Sequence, residues 1–295
     1  MDALIETFDA ALPHGITLSC RAAGPLDGPR VVLLHGFPEA AFAWDEVMQR
    51  LAGTVRCVAP NLRGYERSSA PTDVSAYRAK ELVADIAALI DQLGSPVDLL
   101  VAHDWGGALA WNLAAQSPQM LKNLLIINSP HPAPFLRELR DNPQQQRASA
   151  YMTFLCRPDA PARLVENDFA RLWPFFADLG RAAWLTDAMR ARYRDLWSHG
   201  LTGPVNYYRA SPLRPPRPGD DAIMALQLPD AMVTSRVPTT VLWGDGDRAL
   251  LPGLLDGLER WVPALRLVRV PDATHWIVHE QPARVVAEIE RLLGF

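Results

Sequence analysis

The sequence is poor in lysine, in cysteine and in long apolar runs, and each shortage excludes something. Lys80 and Lys122 are the only lysines, so arginine carries almost all of the positive charge. Lys plus Arg total 29 against 33 Asp plus Glu, a net charge of −4. Without a basic excess, binding to a phosphate backbone lacks its main driving force, and nucleic acid is excluded as an expected partner. The three cysteines, Cys20, Cys57 and Cys156, are widely spaced with no C-x-x-C. Such usage argues against a disulfide framework or a zinc site and fits a reducing cytoplasm. No uninterrupted apolar stretch approaches the roughly 18 residues of a membrane span. The first ten residues, MDALIETFDA, carry acids where a secretory leader carries bases. The expectation is a cytoplasmic protein that does not enter a membrane. Hydrophobic residues at 49% and charged ones at 21% describe an ordinary globular chain.

Two hydrophobic periods alternate in the first third. Short runs rich in Val, Leu and Ile read as buried strands at Val31–Leu34, Val55–Ala59, Val97–Ala102 and Leu124–Ile127. Between them, Leu82, Ile86, Leu89, Ile90 and Leu93 share one face of a helix running from about Tyr77 to Leu93 and closed by Gly94. A second helix starts just past Asp104 and ends near Ser117–Pro118. This alternation implies parallel βαβ units. It breaks after Pro132, where aromatic-rich helical pieces run to about Arg236, including a proline-rich loop at Ser211–Asp221. It resumes with strands Thr239–Trp243 and Leu265–Val270 and a last helix holding Pro282 in its first turn. The expected architecture is α/β, a mostly parallel central sheet flanked by helices with an α-helical cap inserted after strand 6. Residues 1–132 and 236–295 form the core and 133–235 the cap (lid).

The segment with the most chemistry is Val97–Ala108, a buried strand followed by Ala102-His-Asp104-Trp-Gly106-Gly107 and a helix. A sharp strand-to-helix turn strains its central residue and needs small neighbours. In the nucleophile elbow that centre is usually serine; here it is Asp104. Aspartate also caps helices well, but capping does not call for two glycines behind it. A carboxylate of ordinary pKa near 3.9 is ionised at neutral pH and attacks without a base. It displaces leaving groups from saturated carbon, whereas acyl transfer would give a labile anhydride. Epoxides and alkyl halides therefore rank above esters and amides.

The remaining members follow in the chain order nucleophile, acid, base. The strand Thr239–Trp243 runs into Gly244-Asp245-Gly246-Asp247, and Leu265–Val270 into Pro271-Asp-Ala-Thr-His275-Trp276. Asp247 is preferred to Asp245 as the acid partner of His275, since turn chemistry accounts for one Asp of the pair. The alternative acid position after Leu124–Ile127 is Asn128, which has no carboxylate. The backbone amides of Phe37, on the loop after Val31–Leu34, and of Trp105 are the expected oxyanion hole. His14, His131, His199 and His279 have no assigned partner, and His35 and His103 are expected to hold loops near the site.

Together His35-Gly-Phe-Pro38, Arg63-Gly-Tyr-x-Arg-Ser68, His103-Asp-Trp-Gly-Gly107, Asp247 and His275-Trp276 resemble the soluble epoxide hydrolases of the α/β-hydrolase fold, in order and spacing along essentially the whole chain. The resemblance implies two cap tyrosines that hydrogen-bond the epoxide oxygen. Tyr151 stands in Tyr151-Met-Thr-Phe154, and Tyr208 in Gly200-Leu-Thr-Gly-Pro-Val-Asn-Tyr-Tyr208-Arg209, with Tyr207 as the substitute. Phe37, Pro38, Trp105, Phe154 and Trp276 are the expected substrate pocket; Trp173, Phe175, Trp184 and Trp197 are read as packing. Glu66, where the family commonly has Gly, is expected to alter a loop only. The implied activity converts a small apolar epoxide and water to a vicinal diol through a hydroxyalkyl ester on Asp104, with no metal or organic cofactor, and a homodimer is compatible with it. A haloalkane or haloacid dehalogenase using the same nucleophile is the nearest rival, residual dehalogenase activity is left open, and a catalytically silent ligand-binding protein on this fold stands further off.

Overall fold

The computed structural model describes residues 4–178 and 182–295; of Ala177 and Asp178 only the backbone is described. Eight strands form one sheet: β1 (Glu6–Ala11), β2 (Thr17–Ala23), β3 (Arg30–Leu34), β4 (Arg56–Pro60), β5 (Leu99–His103), β6 (Leu124–Ile127), β7 (Thr239–Gly244) and β8 (Leu265–Val270). Their spatial order is β1-β2-β4-β3-β5-β6-β7-β8. β1 and β2 pair antiparallel, β2 with β4 likewise, and all other neighbours are parallel. The central parallel strands are apolar because both faces are covered, whereas β8, at the edge, carries Arg266 and Arg269 and is largely exposed. Every residue of β5, β6 and β7 is buried. The β1–β2 hairpin escapes a search for apolar runs, since β1, at the sheet edge, mixes Glu6, Thr7 and Asp9 with Phe8 and two alanines and is largely exposed.

Helices α1 (Asp45–Leu51), α2 (Ala79–Leu93) and α3 (Trp105–Gln116) follow β3, β4 and β5. α2 begins two residues later than its apolar pattern suggests. Val74–Tyr77 forms a separate 3₁₀ turn, and Arg78 is extended with ψ 146° before the helix starts. Between β6 and β7 lie α4 (Pro132–Asp141), α5 (Pro143–Ala148), α6 (Tyr151–Leu155), α7 (Ala160–Phe169), α8 (Trp173–Asp178), α9 (Asp187–Ser198), α10 (Thr202–Ala210), α11 (Ala222–Ala225) and α12 (Asp230–Val233). The chain closes with α13 (Ile277–Glu280) and α14 (Pro282–Leu293). One face of the sheet packs on α2 and α3, the other on α1, α13 and α14. A third apolar cluster joins Phe37 and Trp276 at the strand ends to Leu155, Phe176, Trp197 and Tyr208 from the inserted helices. No helix among the described residues is long and apolar enough to cross a membrane.

The inserted helices are tied down by a few buried bonds. The Tyr207 hydroxyl donates to the Arg63 carbonyl at 2.9 Å, and Trp197 Nε1 to the Pro38 carbonyl at 2.8 Å. Arg63 itself is held by a two-pronged pair with Asp85, at 2.8 and 2.6 Å. His14 meets the same Asp85 at 2.6 Å. Buried His131 contacts the Val233 carbonyl at 2.8 Å, and its other ring nitrogen accepts from the Ala133 amide. Partners across 71 and 102 residues were invisible in the sequence. Glu66 also does more than shape a loop. At φ 50° it turns its carboxylate inward, where it accepts from the Ser19 hydroxyl (2.6 Å) and the Asn61 amide (2.8 Å), linking β2 to the loop after β4.

α10 meets the loop after β4 backbone to backbone. A Cβ at Gly203 would lie 2.5 Å from Gly64 Cα and 2.7 Å from the Gly64 carbonyl oxygen. Neither atom can swing aside as a side-chain tip could. Overpacking costs about 1–3 kcal/mol, against roughly 1 kcal/mol returned by alanine's helical preference. Gly203→Ala is therefore expected to lower unfolding stability by up to about 2 kcal/mol, measured by urea denaturation; a stabilising result would mean the two segments separate freely.

Candidate active site

The site is built around one strained residue. Asp104 ends β5 and begins α3 with φ 49° and ψ −120°, a conformation that L residues rarely adopt. Such backbone costs on the order of 1–3 kcal/mol and persists only where surroundings enforce it. Here Gly107 lets the β6 loop come close, since a Cβ there would sit 2.3 Å from Ser129 Cβ. The Ser129 hydroxyl then donates to the Asp104 carbonyl at 2.6 Å. From the other side the Gly106 amide donates to the His35 carbonyl at 3.0 Å. The result presents the carboxylate clear of its own backbone, with its side chain 15% exposed.

Five groups stand around that carboxylate. The amide of Phe37 donates to Asp104 Oδ1 at 2.7 Å. Trp105 is the first residue of α3, so its N–H is one of those a helix start leaves without an intrahelical partner. His275 Nε2 stands 3.7 Å from Asp104 Oδ2, and His275 Nδ1 donates to Asp247 Oδ2 at 2.7 Å. Asp247 in turn accepts from the amides of Ala249 and Leu250, both at 2.9 Å. Asn128 Nδ2 donates to the same Oδ2 at 2.9 Å, while its Oδ1 accepts from the Gly244 amide. Asp247 thus faces the imidazole; Asp245 instead pairs with Arg269 at the surface, 2.8 Å away. Tyr151 and Tyr208 approach from α6 and α10 with ring centroids 6.1 Å apart. Tyr207, whose hydroxyl is committed to Arg63, points toward the core loop.

Charge sets the protonation states. Burial alone would push His275 down; the charge and hydrogen bond of Asp247, then the charges of Asp104 and Glu39, outweigh it and raise the ring from 6.5 to about 9. The resting imidazole is therefore an imidazolium at neutral pH. Burial, followed by the neighbouring Asp104 charge, pushes the Tyr151 phenol well above its ordinary range. Burial with the charges of Tyr151 and Asp104 does the same for Tyr208. Both remain neutral hydrogen-bond donors across the physiological range. His35, forced down to about 4 by burial, accepts from the Leu62 amide at 3.0 Å and stays neutral.

Several members were not legible in the sequence. Glu39 is buried and accepts from the Tyr193 hydroxyl (2.7 Å) and His279 (2.5 Å), with His103 Nδ1 3.4 Å away. Burial opposes its ionisation, but the facing imidazoles of His279 and His103 hold it well below the usual carboxylate range. His279 therefore has a definite partner and also stacks on Trp184 at 4.0 Å. Gln145 of α5 donates to the Ala249 carbonyl at 2.7 Å and accepts from the Leu251 amide at 3.0 Å, clamping the loop that carries Asp247. In a run reading Pro-Gln-Gln-Gln-Arg, nothing distinguishes that residue from a solvated one.

A cavity of about 250 Å³ opens over Asp104, bordered by Trp105, Tyr151, Tyr208 and Phe135 among others. Of the five expected pocket residues, Trp105 borders it. Phe37, Pro38, Phe154 and Trp276 do not; Phe37, Phe154 and Trp276 pack instead in the apolar cluster under the inserted helices. Phe37 meets Phe175 and Tyr208 edge-on, Trp276 is fully buried against Phe176, and Pro38 lies beneath Trp197. Phe154 lies against the Arg171 guanidinium, 5.6 Å away.

Sheet order, the strained acid turn and the acid–imidazole pair at the strand ends define the α/β-hydrolase class. Residues 29–282 match the alpha/beta hydrolase fold family. The chain is 38% identical to the AB hydrolase superfamily protein YfhM of Bacillus subtilis (strain 168), over 92% of each chain. It is 32% identical to Epoxide hydrolase 4 of Mus musculus, over 91% of this chain and 74% of that one. A solved epoxide hydrolase from hot-environment metagenomes is 35% identical and superposes with a TM-score of 0.86, covering 99% of both chains. The chain belongs to the α/β-hydrolase fold family and, within it, to the epoxide hydrolases.

Three anions around one ring make the His275 titration a direct readout of the site. Removing the Asp104 charge removes one cause of the upward shift, so Asp104→Asn should lower the His275 pKa from about 9 toward neutrality. Imidazole NMR across pH 5–10 measures it; an unchanged titration would mean the two side chains are not in contact.

Proposed function

We propose that this protein is an epoxide hydrolase that adds water to an apolar epoxide through an ester on Asp104. The observation that carries this reading is the position of the Asp104 carboxylate. One oxygen is fixed by the Phe37 amide, the other faces His275, and the whole group opens to a cavity that two buried phenols also border. The epoxide hydrolases among its relatives support the same reading. Residues 133–235 act as the cap over a core of 1–132 and 236–295, because Tyr151 and Tyr208 come from the former and the carboxylates and imidazole from the latter.

In the first step an Asp104 oxygen bonds to a ring carbon, the carbon–oxygen bond of the ring breaks, and its electron pair moves onto oxygen. An alkoxide is a poor leaving group at neutral pH, so the Tyr151 and Tyr208 hydroxyls donate to it as charge builds. Their raised pKa keeps them protonated until that moment. Forming the ester cancels the Asp104 charge. One of the anions holding His275 as an imidazolium is then gone and its pKa falls; the ring gives up its proton, which replaces the one the alkoxide takes from the phenols, and the neutral imidazole can then accept a proton from water. The hydroxide oxygen attacks Cγ of Asp104, the amides of Phe37 and Trp105 hold the tetrahedral oxyanion, and collapse releases the diol with the proton returned from His275. Asp247 stabilises the imidazolium and fixes the ring's orientation.

Carboxylate attack does not need the imidazole, but hydrolysis does. His275→Gln exposed briefly to styrene oxide should gain one substrate mass on Asp104, seen by intact-mass spectrometry, and should not turn over. An unmodified variant, with an epoxide the parent consumes, sinks the two-step scheme.

The phenols separate this reading from haloalkane chemistry. Tyr151→Phe and Tyr208→Phe delete only donors, so each should slow epoxide alkylation by roughly 2–4 kcal/mol in barrier, as lost oxyanion donors do. Alkylation by a haloalkane, whose leaving group needs no proton, should change little. Stopped-flow tryptophan fluorescence measures both, and full epoxide rates in the two variants would remove the phenols from the mechanism.

A further inference from the structure

The cavity over Asp104 is lopsided. It runs outward along one stripe of α3, bordered by Trp105, Ala108, Leu109, Asn112 and Gln116. These positions repeat at helical spacing and so share a face, and at 1.5 Å per residue the stripe from Trp105 to Gln116 is about 16 Å long. Its far wall is Pro212, Leu213, Leu228 and Met232, from the chain between α10 and the end of α12. The inner half is apolar. The two amides stand toward the open end, with Asn112 half-buried and Gln116 exposed.

On the other side of the nucleophile the structure is packed. Phe37 lies edge-on to Tyr208 at 5.2 Å and to Phe175 at 5.5 Å, and Tyr151 meets Phe175 at 5.4 Å. Phe176 and Trp276 close in behind at 4.7 Å. Of Phe37, Tyr151, Phe175, Phe176, Tyr208 and Trp276, Tyr151 and Tyr208 border the cavity. Among the described residues, the reacting groups therefore sit at the shut end of a one-armed corridor.

We infer, on the reading that the site opens epoxides, that its substrates are oxiranes with a single extended substituent, whose arm lies along α3 past Ala108 while the rest of the ring carries only hydrogen or small groups. Oxiranes with a long group on each ring carbon are excluded by the Phe37–Phe175 wall. Ala108 is a specificity-determining position, since its small side chain keeps the corridor open one turn beyond the elbow. Phe175 is its counterpart on the closed side.

The test compares hexyloxirane with its isomer trans-dipropyloxirane, equal in formula and nearly equal in hydrophobicity, with methyloxirane as a short reference. The parent should show kcat/KM for hexyloxirane at least roughly 100-fold above the dipropyl isomer, a discrimination within reach of pocket shape. Ring hindrance also favours the terminal epoxide, so the variants decide the cause. Ala108→Leu should lower the hexyloxirane-to-methyloxirane ratio of kcat/KM by about tenfold or more. Phe175→Ala should narrow the gap between the two isomers by a similar factor by admitting the second arm. Circular dichroism and melting check both folds, and Phe175→Leu replaces the alanine variant if that one unfolds. A parent that consumes both isomers within threefold of each other, or ratios that neither variant moves, overturns the inference and leaves the epoxide hydrolase reading standing. No diol from any of the three oxiranes overturns that reading, and the inference with it.

Discussion

Everything in this site depends on holding Asp104 in a backbone conformation it would not adopt alone. At φ 49° the residue resists both strand and helix geometry, and the cost is met by contacts on both sides of the turn. Ser129 holds its carbonyl, the Gly106 amide reaches the His35 carbonyl, and the Phe37 amide takes a carboxylate oxygen. These come from β6, α3 and the loop after β3. The turn is thus enforced by the parallel sheet itself, because only adjacent parallel strands bring their C-terminal loops to the same edge.

The second constraint is electrostatic. His275 is fully enclosed, yet three carboxylates surround it closely enough to reverse the effect of burial. A buried imidazole with a single acidic partner would favour the neutral ring more strongly. The third anion, Glu39, is kept ionised by His103 and His279 and is anchored to the inserted helices through the Tyr193 hydroxyl. Charge balance in the site is therefore linked to helix α9 as well as to the sheet. Gln145 repeats the arrangement at the Asp247 loop, so that two inserted helices steady Glu39 and, through its loop, Asp247, two of the three carboxylates that hold the ring charged.

Close packing gives the inserted helices a fixed seat. Tyr207 on Arg63, Trp197 on Pro38, and the bare backbone contact between Gly203 and Gly64 set where α10 lies. Where α10 lies sets where Tyr208 stands, one residue from a tyrosine with an entirely different task. The aromatic wall of Phe37, Phe175 and Trp276 fills one flank of Asp104, and the open stripe on α3 leaves the other.

The sequence alone determined the parallel strands, the strained turn with Asp104 at its centre, and the chain order of Asp104, Asp247 and His275, because each is written locally. A buried strand shows as an apolar run, and a strained turn shows as small residues around an acid. A carboxylate at that centre already implies attack on saturated carbon. The resemblance of His35–Pro38, His103–Gly107 and His275-Trp276 extended this to the cap tyrosines. What the tertiary structure decided is whatever depends on residues far apart in the chain meeting in space. It set Asp247 against the imidazole and Asp245 against Arg269, and it separated Tyr208 from Tyr207. It gave His14, His131 and His279 partners, and it turned Glu66 inward to Ser19. It placed Phe37, Pro38, Phe154 and Trp276 off the border of the cavity over Asp104. Composition cannot foresee these outcomes, since an aromatic or charged side chain reads the same in sequence whether it lines a cavity or fills one. Only the mutual placement of sheet edge and inserted helices decides which it does.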